Sequence, residues 1–332
     1  MSFLLKFLLF FIIPLIPGYY LFAFVFKEEH NPAKAIVYSI GFVPVFNLLI
    51  FYYLLLLLPG LPILFYVLAP LLFISLLFLF IPEKNKKKLQ LPNSSLSYLG
   101  ILIFSIVISY IYAQAKPVSE HDTLEYALQG RHFFNTRSVY YTSYPFHAEN
   151  GFYYVGLHGF AFPLIYTWEL MFNQLIGSDS IILFKFINPF YATLLLGLVY
   201  EEVKIVGKKY AFWAVLVLLF TTGFIFNALQ FHLEMLRQYL FLAFAASFIK
   251  ALKNNSIKNI LLFSVIAGLQ STVHSIGAIA SAIAIVILMA YAIFQKTDKK
   301  YIHAIYSVIA LVLFGWIHYI LDILIGTGWI LK

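Results

Sequence analysis

A-K-P-V-S-E-H-D-T-L-E-Y-A-L-Q-G-R-H-F-F-N-T-R, residues 115–137, opens the only long polar interruption in a hydrophobic chain. The interruption continues as far as Leu157-His158-Gly159. Between Glu120 and His158 it contains four of the chain's 14 acidic residues and four of its 9 histidines. If the protein carries out chemistry, this segment is the place to expect the site.

The composition around this segment is that of a membrane protein. Of 332 residues, 62% are hydrophobic and 11% are charged, which lies far outside the usual range of soluble domains. The chain has no cysteine, so disulfides and thiolate metal sites are excluded. The net charge of +8 does not indicate nucleic-acid binding, because the lysines are concentrated in short loops between apolar runs.

Apolar runs of about 20 residues are long enough to cross the hydrocarbon layer, and the chain has ten candidates. They lie at roughly 3–26, 35–58, 61–81, 97–114, 180–203, 210–228, 236–252, 259–275, 277–295 and 302–323. We therefore predict an all-α polytopic membrane protein with about ten transmembrane helices plus external juxtamembrane amphipathic helices.

Loop charges predict the orientation of these spans. Lysine-rich loops stay on the cytoplasmic side of a membrane, and here they are Lys84 to Lys88, Lys204 to Lys209, Lys250 to Lys258 and Lys296 to Lys300. This places the 115–159 segment outside, provided that residues 160–177 lie in the outer interface as a helix that does not cross. We expect a multi-pass protein of a prokaryotic plasma membrane, with an external amino terminus and an external site.

The polar segment contains the signals of a helix start. Ser119 is the predicted N-cap, and Asp122 follows at the third helical position. In that helix Asp122, Glu125, Gln129 and His132 share one face. First-turn acids also occur simply because the helix dipole favours them, so position alone does not make Asp122 or Glu120 catalytic.

Other ionisable residues reach the same external face in this topology. Converging acids and bases near hydrocarbon are costly, and they indicate a binding site. The candidate substrate-binding residues are Glu125, Arg131, His132, His158, Lys185, His232, Glu234, Arg237 and His274. Simpler interpretations remain open: Lys185 could extend its amine to the interface, and Glu234 could only pair with Arg237. His318 and Asp322 have metal-like spacing, but two ligands do not make a site.

The order of these features resembles the GT-C glycosyltransferases, in particular the protein O-mannosyltransferases and the aminoarabinose transferase that modifies lipid A. Asp122-Thr123-Leu124-Glu125-Tyr126-Ala127 is similar to the family's D-E-x-x-Y-A, with Thr123 in place of its second acid. Glu120 supplies the E-x-D variant of that motif. Phe162-Pro163-Leu164 resembles the family's Pro-Pro-Leu, and Lys185 and Glu234 lie near a family arginine and a second external acid.

The resemblance implies a fold, a donor and a set of roles. It implies an extra amino-terminal three-helix module at 1–90 and a GT-C-like module at 91–332, with the external loop at 115–177. The donor would be a sugar on polyprenyl phosphate, transferred with inversion to a protein, lipid or glycan acceptor. Asp122 or Glu120 would act as the base, or both would hold Mg²⁺ or Mn²⁺. Lys185, Arg237 and Arg131 would bind the departing phosphate.

Two other function classes stay open at this point. A transporter or flippase for a lipid-linked or small polar substrate is one, although such proteins often have internal repeats and charges at mid-membrane. A non-catalytic GT-C relative that assists a partner is the other. Neither the sugar nor the acceptor is specified by the sequence.

Overall fold

The computed structural model describes residues 2–25, 32–77, 95–118, 121–139, 159–254, 256–294 and 300–320, and the regular elements among them are helices. In chain order these are α1 (Ser2–Phe7), a π-helix (Leu8–Ile12), α2 (Ile13–Val25), α3 (Pro32–Leu57), α4 (Ile63–Leu77), α5 (Ser95–Ala115), α6 (His121–Thr136), α7 (Ala161–Ile176), α8 (Ile182–Val203), α9 (Lys208–Leu219), α10 (Thr222–Ala228), α11 (Glu234–Lys253), α12 (Ile257–Ser271), α13 (Ser275–Phe294), α14 (Lys300–Leu311) and a second π-helix (Val312–Trp316).

Several of these helices are long and apolar enough to cross a membrane. In the described residues there are five, Ser2–Ala23, Pro32–Leu57, Ile182–Val203, Glu234–Lys253 and Ser275–Phe294. A sixth results if α9 and α10, bent by 69°, form one span. Four shorter apolar helices occupy the other predicted ranges. The chain is therefore a helical membrane protein, and the number of ten spans stays a prediction.

The chain divides into two compact units. Unit 1 comprises residues 1–137 and 163–239, and unit 2 comprises 138–162 and 240–332. The predicted boundary near residue 90 does not coincide with this division, because α1 and α3 pack against α8 inside unit 1. A separate amino-terminal module stays a prediction.

Helix α8 is the central element of unit 1. It packs against α1, α3, α5, α9 and α10. Its side chains are buried on most sides over its first half, as expected of a helix surrounded by other helices. The positions of the charged residues near its two ends are therefore fixed by this packing.

Helix α7 is more buried than a helix lying on a surface would be. Leu164, Ile165, Trp168 and Met171 are all almost inaccessible. Its one acidic residue, Glu169, is also fully buried. The sequence analysis predicts a helix here that lies in the outer membrane interface. The helix is present, and its location at the interface stays a prediction.

Unit 2 is organised around α12, which packs against α13, α14 and the second π-helix. A Cβ on Gly315 would lie 1.9 Å from the carbonyl oxygen of Gly268, so the two backbones can approach this closely only with glycine at position 315. The backbone N–H groups of Gly159 and Ala161 donate to Val273 and Thr272, respectively. These bonds lie within unit 2 and join residues 159–161 to the two residues that follow α12.

Candidate functional site

Helix α6 holds Asp122 at the edge of a buried face. Thr123, Tyr126 and Phe133 are buried, whereas Asp122 is exposed. Gln129, predicted to share a face with Asp122, is buried as well. Other exposed positions of the helix include Leu124 and Leu128, at 48% and 49%, as expected of side chains that face lipid.

A close contact with α7 fixes the position of α6. The Thr167 hydroxyl lies 2.9 Å from the carbonyl oxygen of Gly130. A Cβ on Gly130 would lie 2.5 Å from the carbonyl oxygen of Pro163, a distance that real side chains do not adopt. Glycine at position 130 therefore allows α6 to rest directly on the start of α7.

The second part of the site is the segment L-Q-F-H-L-E-M-L-R at residues 229–237, which we call the 229–237 turn. Its carbonyl at Leu229 accepts hydrogen bonds from the Tyr112 hydroxyl and, at 2.6 Å, from the amine of Lys116. The Thr123 hydroxyl donates to the carbonyl of Phe231 at 2.6 Å. The turn is thus tied to the end of α5 and to the first turn of α6, beside Asp122.

Asn188 of α8 also binds backbone groups of this turn and of the residue Asn227 just before it. Its side-chain amide donates to the carbonyls of Asn227 and Gln230, both at 2.7 Å. Its side-chain oxygen accepts from the N–H of Met235 at 2.8 Å. One fully buried side chain therefore binds three backbone groups, of which the Asn227 carbonyl, in α10, also accepts from the N–H of Gln230 at 3.3 Å.

These contacts bring acids from two distant segments together. Burial raises the pKa of the Tyr126 hydroxyl, and the negative charges of Asp122, Glu234 and Glu125 raise it further, while Arg237 opposes them. Asp122 also acts electrostatically on Glu234. Glu234 forms an ion pair with Arg237. Tyr126 consequently stays protonated at neutral pH and is suited to donate a hydrogen bond, not to act as a base.

Two lysines lie against the buried ring of Phe231 in the 229–237 turn. The amine of Lys185 is 5.2 Å from the centre of the Phe231 ring, and that of Lys116 is 5.0 Å from it. Phe231 is fully buried, and Lys185 is only 9% exposed. An ammonium group over a buried ring is attracted electrostatically, so both lysines are held beside the 229–237 turn.

Two predicted substrate-binding histidines have local backbone roles. The Nδ1 atom of His232 accepts from the N–H of Glu234 at 3.3 Å, at the start of α11. Likewise, Nδ1 of His274 accepts from the N–H of Ile276 at 3.1 Å, at the start of α13. Each imidazole satisfies one of the unpaired donors of a helix amino terminus, and in this role Nδ1 carries no proton.

The structure separates Arg131 and His132 from Asp122. They lie at the other end of α6, and nine residues of helix correspond to about 13.5 Å along its axis. Arg131 instead acts electrostatically on Tyr166 of α7. Arg131 is therefore not placed to share a ligand group with Asp122 along that helix.

Some predicted residues lie outside the described part of the chain. Glu120, the possible second carboxylate, and His158 are among them, as are the predicted N-cap Ser119 and Asp322, the partner proposed for His318. His318 is buried in unit 2 against the rings of Phe160 and Tyr319. Within the described ranges no three His, Asp or Glu side chains form a group that could hold a metal ion.

The sequence analysis missed Lys116 and Asn188. Lys116 had a detectable signal, because it is a lysine at the predicted external end of a span, where the charge rule does not favour it. Asn188 lies beside Pro189 in an apolar run, and nothing in the sequence indicates which backbone groups it binds.

We compared the chain with family models, with curated proteins and with solved structures, and none of the three comparisons gives a match. The resemblance to the GT-C glycosyltransferases therefore rests on the residues and motifs of the chain itself. The geometry around the 229–237 turn is the basis from which a function can be inferred.

Proposed function

We propose that the protein is a membrane glycosyltransferase that moves a sugar from a polyprenyl-phosphate donor to an acceptor at the external membrane face. The observation that carries the proposal is the joining of α6 and the 229–237 turn. The Thr123 hydroxyl, next to Asp122 in the chain, donates to the Phe231 carbonyl of that turn. Asp122 acts electrostatically on Glu234, and the amines of Lys116 and Lys185 lie over the Phe231 ring. Sites that transfer protons and bind phosphate groups commonly contain several carboxylates together with cations.

Asp122 is suited to be the base. It is exposed, so an acceptor hydroxyl can reach it, and it sits in the first turn of α6. In inverting transfer the carboxylate takes the hydroxyl proton while the acceptor oxygen bonds to the anomeric carbon. The bond from that carbon to the phosphate oxygen breaks, and its electron pair leaves with the lipid phosphate.

Lys185 and Lys116 are suited to bind that phosphate. Fixed cations stabilise negative charge that develops on a leaving group, and they do so more strongly where water is excluded. Lys185 is nearly buried, and both amines are held against Phe231. Arg237 is paired with Glu234, so we assign it a supporting role.

The surroundings of the site suit a donor with a lipid tail. On α5, Ile108 and Ile111 are 49% and 56% exposed, and they lie within two turns of Lys116. Leu124 and Leu128 extend the apolar surface along α6. A polyprenyl chain in the bilayer would contact such side chains while its phosphate reaches the lysines.

A divalent cation is the alternative use of the acids. Carboxylate oxygens are the ligands that Mg²⁺ and Mn²⁺ prefer, so Asp122 fits such an ion, with Glu120 as the second predicted ligand. A bound cation would neutralise charge on the phosphate. The effect of a chelator on transfer distinguishes the two roles of Asp122, base and ligand.

The test is sugar transfer by the purified protein in lipid. A panel of radiolabelled polyprenyl-phosphate sugars is offered with a membrane extract as the acceptor source, and wild type is compared with Asp122→Asn and Glu120→Gln. We expect Asp122→Asn to lower kcat by about 10²- to 10⁴-fold, the usual contribution of a general base. Loss of wild-type activity in EDTA that added Mg²⁺ or Mn²⁺ restores would assign the metal role.

Asp179→Asn is the matched control, because Asp179 is an exposed aspartate in the connection before α8 and contributes no group to the 229–237 turn. We expect it to transfer at the wild-type rate. Normal transfer by Asp122→Asn would disprove the assignment of the base. Transfer from no donor, by wild type as well, would count against the enzyme and favour a non-catalytic relative or the second candidate.

That second candidate is a transporter or flippase of a lipid-linked or small polar substrate. One observation favours it, namely the 69° bend between α9 and α10, since broken spans are common at transporter binding sites. Movement of a fluorescent polyprenyl phosphate across vesicles containing the protein, at equal rates in wild type and Asp122→Asn, would support transport without transfer.

A further inference from the structure

A fully buried ion pair lies at the beginning of α8. The amine of Lys6 and Oε1 of Glu169 are 2.7 Å apart, and both side chains have no exposed surface. The same carboxylate accepts two backbone N–H groups, that of Leu183 at 2.9 Å on Oε1 and that of Phe184 at 2.8 Å on Oε2. Each carboxylate oxygen of Glu169 therefore anchors one N–H of α8.

Helix α8 needs this anchor because it has no cap of its own. Its N-cap residue is Ile181, whose side chain cannot accept a hydrogen bond. The backbone bond from the N–H of Lys185 to the carbonyl of Ile181 is long, at 3.4 Å. Glu169 of α7 thus supplies the acceptors that a serine or aspartate usually provides, and its negative charge suits the helix dipole.

Lys6 makes this arrangement possible. Burial raises the pKa of Glu169, and the charge and hydrogen bond of Lys6 lower it, together with the two backbone bonds. A protonated Glu169 would have a hydroxyl that donates, so it could not accept both N–H groups equally well. Lys6 also donates to the carbonyl of Ser180, in the connection that leads into α8.

The anchored turn carries Lys185. Lys185 directly follows the two residues whose N–H groups Glu169 accepts, and its amine is the group over Phe231. One turn further along α8, Asn188 holds the 229–237 turn. The position of the Lys185 amine therefore depends on the first turn of α8 being fixed.

We propose that Glu169 is a positioning residue for Lys185, and that Lys6 is the counter-ion that keeps Glu169 in this role. The amino-terminal helix α1 is then a working part of the site, not an accessory module. The inference rests on the proposed function only in the use it gives to Lys185, the binding of a lipid-linked phosphate.

The first experiment needs no activity. The protein in lipid is treated with an amine-reactive reagent, and the rate of Lys185 modification is followed by mass spectrometry. We expect Glu169→Gln to raise that rate about tenfold, because the loosened first turn opens locally more often. Lys6→Met is expected to raise it as well, since Glu169 loses its counter-ion.

Asn173→Leu is the matched control. Asn173 lies one turn from Glu169 on α7, is also buried, and donates to the carbonyl of Ser180 at 2.9 Å without touching the N–H groups of α8. Its Lys185 modification rate is expected to equal that of wild type. An equal increase in Asn173→Leu and Glu169→Gln would show general loosening and overturn the proposal.

Glu169→Asp is the second variant if Glu169→Gln cannot be purified folded. It keeps the charge and shortens the side chain by one methylene, so an intermediate modification rate is expected. If Lys185 is modified at the wild-type rate both in Glu169→Asp and in Lys6→Met, the proposal is overturned.

A double-mutant cycle on transfer then tests the link to function. KM for the polyprenyl-phosphate donor and kcat are measured for Lys185→Met, Glu169→Gln and the double variant. If Glu169 acts through Lys185, the double variant matches Lys185→Met alone; if the effects add, Glu169 does not act through Lys185. Faster modification of Lys185 in a protein that transfers no sugar would support the positioning role while rejecting the proposed function.

Discussion

The two ends of α8 both carry charged residues, but they use them differently. At the carboxyl-terminal end Glu202 pairs with Lys34 at 2.9 Å and accepts from the Tyr38 hydroxyl at 2.7 Å, and Glu201 lies 3.4 Å from Lys204. At the amino-terminal end Glu169 also pairs with a lysine, Lys6, but its carboxylate accepts two backbone N–H groups as well, and Lys185 lies over an aromatic ring.

The difference separates a structural cluster from a candidate site. The carboxylate of Glu202 binds two side chains, the Lys34 amine and the Tyr38 hydroxyl, as in a partly buried structural ion pair. Near the amino-terminal end, Asp122 acts electrostatically on Glu234, and two like charges held near each other cost energy and are common where chemistry takes place. If this interpretation is right, substitutions at the amino-terminal end should alter function and those at the carboxyl-terminal end should alter stability alone.

The largest effect on folding is expected for Asn188→Leu. The Gln230 carbonyl and the Met235 N–H lose the partner that Asn188 supplies. Each unsatisfied group costs about 1 kcal/mol or more, so the free energy of unfolding should fall by about 2 kcal/mol. Unfolding in detergent, followed by circular dichroism, measures it. Asn47→Leu on α3 is the matched control: neither side-chain polar atom of Asn47 has a hydrogen-bond partner among the described residues. That substitution should be neutral or stabilising, and a similar loss in both variants would contradict the role of Asn188.

The second prediction compares a Glu→Gln substitution at each end of α8. Glu234→Gln removes the second carboxylate beside Asp122 and the partner of Arg237, and we expect kcat for transfer to fall about tenfold, or about 1.4 kcal/mol. Glu202→Gln, at the carboxyl-terminal end, should leave kcat unchanged per folded molecule. Equal losses of kcat in the two variants would remove the distinction between the ends.

The smallest effect is expected at the structural end. Tyr38→Phe removes the hydroxyl that donates to Glu202, and one hydrogen bond to a partly buried carboxylate contributes about 1 kcal/mol. Thermal unfolding should detect this change, while sugar transfer at a temperature well below the transition should not change. A loss of transfer in folded Tyr38→Phe would show that the carboxyl-terminal end contributes to function.

Most of the helices could be predicted from the apolar runs and from the polar segments that separate them. Each predicted span overlaps a helix, and α6 begins at His121, two residues after the predicted cap at Ser119. The number of full spans stays a prediction, because the described residues contain five helices long and apolar enough to cross a membrane, or six if α9 and α10 form one span. A hydropathy pattern reports that a segment is apolar, not where its hydrogen-bonded helix begins and ends.

From the sequence, only the side of the membrane on which the site residues lie could be predicted. Placing the loops by charge put Asp122, Glu234, Arg237 and Lys185 on one side of the membrane. In the structure Asp122, Glu234 and Arg237 act electrostatically on Tyr126, and Lys185 lies over Phe231, while their roles in binding stay a prediction. The role predicted for Arg131 stays a prediction, because helical spacing gives the face of a helix but not its distance from a site. The pairing of Glu169 with Lys6 was hidden, since no local pattern links residues 163 positions apart.

That separation also sets an order of events during synthesis. At about 5–20 residues per second, a ribosome needs on the order of 10–30 s to reach Glu169 after Lys6 has emerged. Throughout that interval the first helix carries an ammonium group without its final partner, and the long lysine side chain must keep that group in the aqueous headgroup layer. Lys6 can move inward only when Glu169 arrives. The withdrawal of this charge from water must therefore wait for a helix made half a chain later.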